Sequence, residues 1–337
     1  MNSRERVQRA IRFGSPDRLP ISHRVLPAAR LKYGAVLEEI LQQFPDDFGW
    51  EFLPPFDPKR LSPSFSRGKY VDPFGTVWQI ETKGLSGIPV QFPLNDWQNY
   101  ATFSWPEIAP IVQELHECAA FLPRQGEKFY ARGGPVPFWE RLLALRGMEN
   151  LLLDVASGSK EFLRLRDELL EFTLRLLDAF LQKSYDGIVF TDDWGSEQSM
   201  MIDPFLWRRY FKPVYRRLFE KVKQAGLDVH FHSDGNIAPI IPDLLELGVD
   251  VLNCQVSLMD MEWLGKNFAG KVCFQPLPDH KRILPFASPQ EVKRHIHYLF
   301  RLLGKEQGGL IACTEIGPHL PLENIRALYE AFREFTH

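Results

Sequence analysis

The polar and apolar positions change rhythm near residue 128. Beyond it, short apolar runs end in polar residues, and longer segments with apolar residues at helical spacing follow them. The runs predicted as strands are "KFYARGG" (128–134), "DGIVFTDD" (186–193), "DVHFHSD" (228–234), "VDVLNCQ" (249–255), "KVCFQPL" (271–277) and "GLIACTE" (309–315). Between the first two, "FWERLLALRGMENLLLDVAS" and "SKEFLRLRDELLEFTLRLLDAFLQKS" read as helical. Before residue 128 the pattern is looser. Residues 2–13 predict a short amphipathic helix capped by Ser3, with Val7, Ala10 and Ile11 on one face, ended by "FGSPDRLPIS". "GTVWQIET" and "IPVQFPL" flank "KGLSG" as a hairpin, and helical character returns in "WPEIAPIVQELHECAAFL".

Strands alternating with helices imply parallel strands joined by right-handed crossovers. With one or two earlier strands, the pattern predicts an α/β fold: a single (β/α)8 TIM barrel with an N-terminal helical and hairpin elaboration. Residues 1–337 form one domain on this expectation, with the elaboration in 1–127 and regular β/α units in 128–337. An open doubly wound sheet is the competitor, but no GxGxxG or P-loop supports a nucleotide fold. In a barrel the strand ends carry the chemistry. Here they offer Arg132, then Asp192 with Asp193, then His230, His232 and Asp234, then Asn253 and Gln255, then Gln275, then Cys313 with Glu315.

Composition narrows the class. A net charge of −3 gives no basic field for nucleic acid. The four cysteines, Cys118, Cys254, Cys273 and Cys313, have no paired spacing and suit reduced thiols. No run approaches the ~18–20 apolar residues of a membrane span, and the N-terminus lacks a signal-peptide core. A cytoplasmic enzyme is the expectation.

"RERVQRAIRFGSPDRLPIS", "DPFGTVWQ", "LLALRGMENLLLD", "YDGIVFTDDWGSEQSMMIDPFLWRRYFKPVYRRLFEKVKQAG", "VHFHSDGNIAPIIPDLLELGVDVLN" and "GGLIACTEIGPHLPLENIRALYEAF" carry a resemblance. In order and spacing they resemble the uroporphyrinogen decarboxylase-like superfamily, whose fold is a (β/α)8 barrel. The true decarboxylases carry an arginine-rich "MRQAGRY"-like segment, where this chain reads "SHRVLPAARLKYG", and a "GHG" segment that falls here on Thr314. Both departures turn the expectation towards the superfamily's corrinoid-dependent methyltransferases, which hold zinc through a His-x-Cys pair and a later Cys. That pair falls on His232-Ser233-Asp234, and the later Cys on Thr314, flanked by Cys313 and Glu315.

The resemblance therefore implies a zinc set drawn from His232, Asp234, Cys313 and Glu315. Such a set is harder than a thiolate site and better suited to an ether oxygen than to a thiol. The expected activity is transfer of a methyl group from a methoxylated, preferably aromatic, compound to the cobalamin of a partner corrinoid protein. Decarboxylation of a tetrapyrrole or smaller acid is the first alternative; transfer between methylcobamide and a thiol or tetrahydrofolate is the second. Asp192, Asp193, His232 and Glu315 are the catalytic candidates. Arg132, Trp139, Trp194, Glu197, Gln255 and Gln275 are the substrate-binding ones, and a homodimer is allowed for.

Alternation on one strand puts His230, His232 and Asp234 on a common face, with Phe231 and Ser233 on the other. Bland readings stand beside these. Asp234-Gly235-Asn236 can be a turn, Cys313 a buried small residue, His230 a supporting one, and Phe138, Trp139, Trp194 and Trp78 core packing.

Overall fold

A computed structural model describes residues 1–49, 55–117 and 128–335. Cys118 and the end of the helix predicted from "WPEIAPIVQELHECAAFL" lie outside the described residues. In chain order the strands are β1 (Ile21–Val25), β2 (Gly68–Val71), β3 (Val77–Ile80), β4 (Ile88–Gln91), β5 (Arg132–Val136), β6 (Gly187–Thr191), β7 (Asp228–Ser233), β8 (Val251–Cys254), β9 (Cys273–Phe274) and β10 (Ala312–Ile316). The helices are α1 (Ser3–Ile11), α2 (Pro27–Gln42), α3 (Ile108–Glu117), α4 (Trp139–Arg146), α5 (Met148–Ser157), α6 (Lys160–Leu181), α7 (Pro204–Tyr210) and α8 (Lys212–Gln224). They continue with α9 (Ile241–Glu246), α10 (Met261–Phe268), α11 (Ile283–Phe286), α12 (Pro289–Leu303) and α13 (Leu322–Glu334).

Strands β5 to β9 form a parallel sheet in sequence order, and β10 pairs in parallel with β1. Main-chain hydrogen bonds join the two pieces. Phe274 N donates to Gly309 O and Ile311 N to Phe274 O, each at 2.9 Å, carrying β9 onto the approach to β10. On the other side Asp47 N donates to Ile21 O (2.9 Å) and Tyr130 N donates to Asp47 O (3.0 Å). A short irregular segment around Asp47 thus takes the eighth place in the ring. The fold is the predicted α/β barrel type, and among the described residues its ladder comprises a five-stranded sheet and the β1–β10 pair, joined through β9 and the Asp47 segment.

Alternation sorts the wall. Phe231 packs outward against Tyr215 and Phe219 of α8, while His230 lies on the inner face against Tyr130. The floor is closed by α1, whose Val7 and Ile11 join Phe48, Tyr130, Val251, Cys273 and Ile311 in a small apolar cluster. Ion pairs from Arg4 to Asp186 (2.7 Å), Arg6 to Asp47 (2.7 Å) and Arg12 to Asp228 (2.5 Å) tie the helix to the bottoms of the strands. Its cap is Asn2, whose side chain accepts from Glu5 N, and not the expected Ser3.

The sequence pattern merges α4 with α5, but Gly147 separates them at φ 81°, a conformation that favours glycine. The hairpin forms as predicted from β3 and β4, and β2, absent from the expectation, adds a third antiparallel strand. Among the described residues no helix is long and apolar enough to cross a membrane.

Candidate metal centre at the barrel mouth

At the top of the barrel β7 runs out at Ser233, and the next residue, Asp234, begins the loop to α9. Asp193 holds the equivalent place after β6. The two loops meet glycine against glycine. A Cβ on Gly235 (φ +78°) would lie 2.1 Å from Gly195 main-chain atoms, and one on Gly195 2.4 Å from Asn236 N. Only glycine lets the loops approach this closely. Asp234 N then donates to Asp193 Oδ1 at 2.8 Å, and Gly235 N to Gln255 Oε1 at 2.9 Å.

One possible ligand atom from each of Asp193, His232 and Asp234 lies within 4.8 Å of the others. His232 Nε2 is 3.7 Å from Asp193 Oδ1 and 3.8 Å from Asp234 Oδ1. The ring's tautomer follows from its other neighbour. Asn253 Nδ2 donates to Gln275 O (2.5 Å), so its Oδ1 faces His232 Nδ1 at 2.7 Å and accepts that nitrogen's proton. The Nε2 lone pair is left pointing at two carboxylates. Asp234 Oδ1 is buried and has no hydrogen-bond partner. A lone pair and two carboxylates facing one another call for a cation between them, and an imidazole oriented by a second polar group is the usual form of a metal-ligating histidine.

Glu140, in the first turn of α4, adds a third carboxyl to this corner. Burial, followed by the nearby Asp193 and Asp192, pushes it up to about 8. Burial likewise raises Asp234, with His232 pulling the other way. The crowding of carboxyls is what a divalent cation relieves. Nothing in "FWERLL" distinguishes Glu140 from an ordinary first-turn acid, so its place here has no signal in the sequence.

The other predicted site residues divide by position. Asp192, expected among the catalytic residues, is placed in a buried structural network. It is wholly buried, and its carboxylate accepts from Phe138 N (2.8 Å), Glu140 N (3.1 Å) and Tyr215 Oη (2.6 Å), so it anchors α4 and α8 to the end of β6. Trp139 and Trp194 are fully buried and stack at 4.5 Å in the core, with no surface to offer a substrate. Phe138 is core as well. Gln255 is buried and spends its Oε1 on the Gly235 loop, which positions Asp234.

Gln275 is buried beside Asn253, and its side chain reaches the Cys313 thiol. Cys313 and Glu315 fall outside the triad. Cys313 is buried on β10, and Glu315 pairs at 3.0 Å with Arg24 of β1, its register neighbour. Glu197 is an exposed rim residue paired with Lys281. Arg132 opens β5 instead of ending it, and its Nη2 donates to Ser22 Oγ at 3.1 Å. His230 sits lower, with Nε2 3.0 Å from the Tyr130 hydroxyl, which also reaches Asp228 at 2.7 Å.

A cavity of about 510 Å³ opens beside the mouth, between the hairpin, α6 and the ends of β5 and β6. Tyr70, Phe74, Trp78, Pro135, Arg141 and Thr191 are among its walls. Thr191 is the register partner of His232, so the cavity adjoins the triad.

Residues 131–335, well over half of the chain, match the family model described as uroporphyrinogen decarboxylase (URO-D). The chain belongs to the uroporphyrinogen decarboxylase family. Two members from different strains of Thermus thermophilus, both called uroporphyrinogen decarboxylase, align over 207 residues, 61% of this chain and 55% of each relative. One is 27% identical and the other 26%. The chain thus spans about half the length of these family relatives. Among solved structures, a methyltransferase from Methanosarcina mazei superposes with a TM-score of 0.67 over 99% of both chains at 14% identity, a likeness of fold. Within this family frame the triad and its Asn253 support stand at the C-terminal ends of the strands, where barrels of this class place their chemistry.

Proposed function

We propose that this family member is a metal-dependent methyltransferase, taking a methyl group from a methoxylated aromatic compound and passing it to cobalamin on a partner corrinoid protein. The observation that carries the proposal is the tautomer-fixed Nε2 of His232 facing Asp193 and Asp234, one of whose oxygens is buried without a partner. His232, Asp193 and Asp234 would hold the ion, and zinc is the ion expected, since imidazole and carboxylates are among its ordinary ligands. Such an ion supplies Lewis acidity to an ether oxygen that must leave as an alkoxide or aryl oxide. With no sulfur among its ligands the site is hard, which favours an oxygen-bound methyl group over a thiol.

The chain's own residues do the rest. Asn253 orients His232, while Gly195, Gly235 and Gln255 hold the two aspartates together. Tyr70, Phe74 and Trp78 wall a largely apolar cavity beside the mouth, an apolar flank for an aromatic substrate held at the triad. The partner's cobalamin has to approach from the open mouth, where Arg24, Asp193, Asp234 and Glu315 are part-exposed. The test mixes the zinc-loaded protein with cob(I)alamin and a panel of methoxyarenes and follows methylcobalamin by absorbance. Methylcobalamin should form with wild type and fail with His232→Ala. Silence across the panel together with CO2 release from uroporphyrinogen would replace the proposal with the decarboxylase.

A further inference from the structure

Among the described residues, Arg132 is a barrel-interior cation with no ion-pair partner. Arg132 starts β5 and reaches past the Asp47 segment, where Nη2 donates to Ser22 Oγ on β1 at 3.1 Å. Its guanidinium lies over the Phe48 ring at 4.1 Å. Nε is buried without a partner, and among the described residues the acidic groups that act on it most, the Cys313 thiol and Asp46, do so through space without an ion pair, Asp46 being engaged by the main-chain N–H groups of His23 and Phe48. The other arginines sunk in this fold are treated differently. Arg6 pairs with Asp17 and Asp47, Arg141 with Asp72, and Arg146 with Asp154. A buried guanidinium with one hydrogen bond and one ring face is costly, and folding alone gives no reason to keep it. Arg132 nevertheless retains part of its accessible surface, so the lumen reaches it.

The mouth end of the neighbouring strands carries the other sign. Asp193 and Asp234, with Glu140 behind them, stand at the ends of β6 and β7. Arg24, the nearest lumen arginine on β1, is already engaged by Glu315. Charge is therefore divided along the strands: among the described residues Arg132 has no ion pair at the start of β5, and acidic groups cluster at the ends of β6 and β7.

We propose that Arg132, with Ser22, binds the carboxylate of the substrate, whose other end faces His232, Asp193 and Asp234. One guanidinium with one hydroxyl suits a monoanion presented in a plane, which is a carboxylate; a phosphate dianion would meet only one free positive charge and an acidic corner. The proposal rests on the methyl-donor reading and narrows it to methoxylated aromatic acids, with Arg132 in a binding role.

The experiment measures equilibrium binding by calorimetry to the zinc-loaded protein, with no corrinoid present. The ligands are 4-methoxybenzoate, its neutral near-isostere 4-methoxybenzamide, and benzoate. A charge-assisted pair predicts at least about tenfold tighter binding of 4-methoxybenzoate than of the amide. In Arg132→Met that preference should vanish while the thermal midpoint holds or rises, because an unpaired buried charge has been removed. In Arg132→Lys, which keeps the charge without the planar fork, part of the preference should remain. Equal affinity for acid and amide in wild type, or a preference unchanged in both variants, would overturn the proposal.

The two proposals fail separately. Arg132-dependent binding of benzoate and 4-methoxybenzoate without any methyl transfer would retain the anchor and remove the methyl-donor reading. Methyl transfer proceeding equally from acid and amide would do the reverse.

Discussion

Replacing Asn253 with alanine tests whether a neutral amide sets the chemistry of His232. Asn253 makes two short buried hydrogen bonds, from His232 Nδ1 at 2.7 Å and to Gln275 O at 2.5 Å. In Asn253→Ala the imidazole is free to turn or to move its proton to Nε2, and either change removes the lone pair aimed at the carboxylates. Loss of such a supporting partner costs about ten- to a hundredfold in metal affinity, or about 1.4–2.7 kcal/mol. Two buried polar atoms are also left unpaired, at about 1–3 kcal/mol each in folding stability. Zinc affinity by chelator competition and a urea titration of the metal-free protein read the two losses separately. Asn253→Asp is the informative contrast: it still accepts from Nδ1 but no longer donates to Gln275 O, so zinc affinity should hold while stability falls. If Asn253→Ala binds zinc as tightly as wild type while His232→Ala abolishes binding, Asn253 does not orient the ligand.

Other consequences follow from the same geometry. Gly235→Ala should weaken zinc binding by at least about tenfold, the scale of a disturbed supporting contact, because its Cβ would drive the Asp193 and Asp234 loops apart; unchanged affinity in a folded variant would count against the loop contact. Asp192→Ala should lower the urea-derived stability by at least about 3 kcal/mol, since Phe138 N, Glu140 N and the Tyr215 hydroxyl lose their acceptor; a near-neutral effect would mean that these groups find other partners. Asp17 is held down to about 2, chiefly by its hydrogen bond with Arg6. A carboxyl with a depressed folded pKa adds stability above about pH 4, its unfolded range, and loses it as pH falls towards 2. The gap in urea midpoint between wild type and Asp17→Asn should therefore narrow between about pH 5 and about pH 2.5; a constant gap would deny the pairing.

The barrel was legible in the sequence because its walls obey simple periodicity. Apolar alternation placed His230 and His232 on the inner face of β7, and the polar strand ends marked the mouth. Ligand grouping was not legible, because it depends on neighbours across strands and on loop contacts. Cys313 and Glu315 share a lumen face with each other, but Glu315 has Arg24 beside it on β1 and neither joins the triad. Asp193, expected to act in catalysis, meets His232 and Asp234 because two glycines let adjacent loops touch. Trp139 and Trp194 looked like walls of a ring pocket, but burial sends them into one stack in the core. Arg132 is expected at the end of its strand; the strand instead begins there, and among the described residues it has no ion pair, a property of the packed lumen.

The central claim is a cation site of one imidazole and carboxylate oxygens, and X-ray absorption at the zinc edge addresses it most directly. Zinc-loaded wild type and Cys313→Ser should bind about one ion per chain, with nitrogen and oxygen scatterers at about 2.0–2.2 Å and identical spectra. His232→Ala and Asp193→Ala should lose the ion. A sulfur shell near about 2.3 Å that disappears in Cys313→Ser, or no stoichiometric zinc in wild type, would contradict the account.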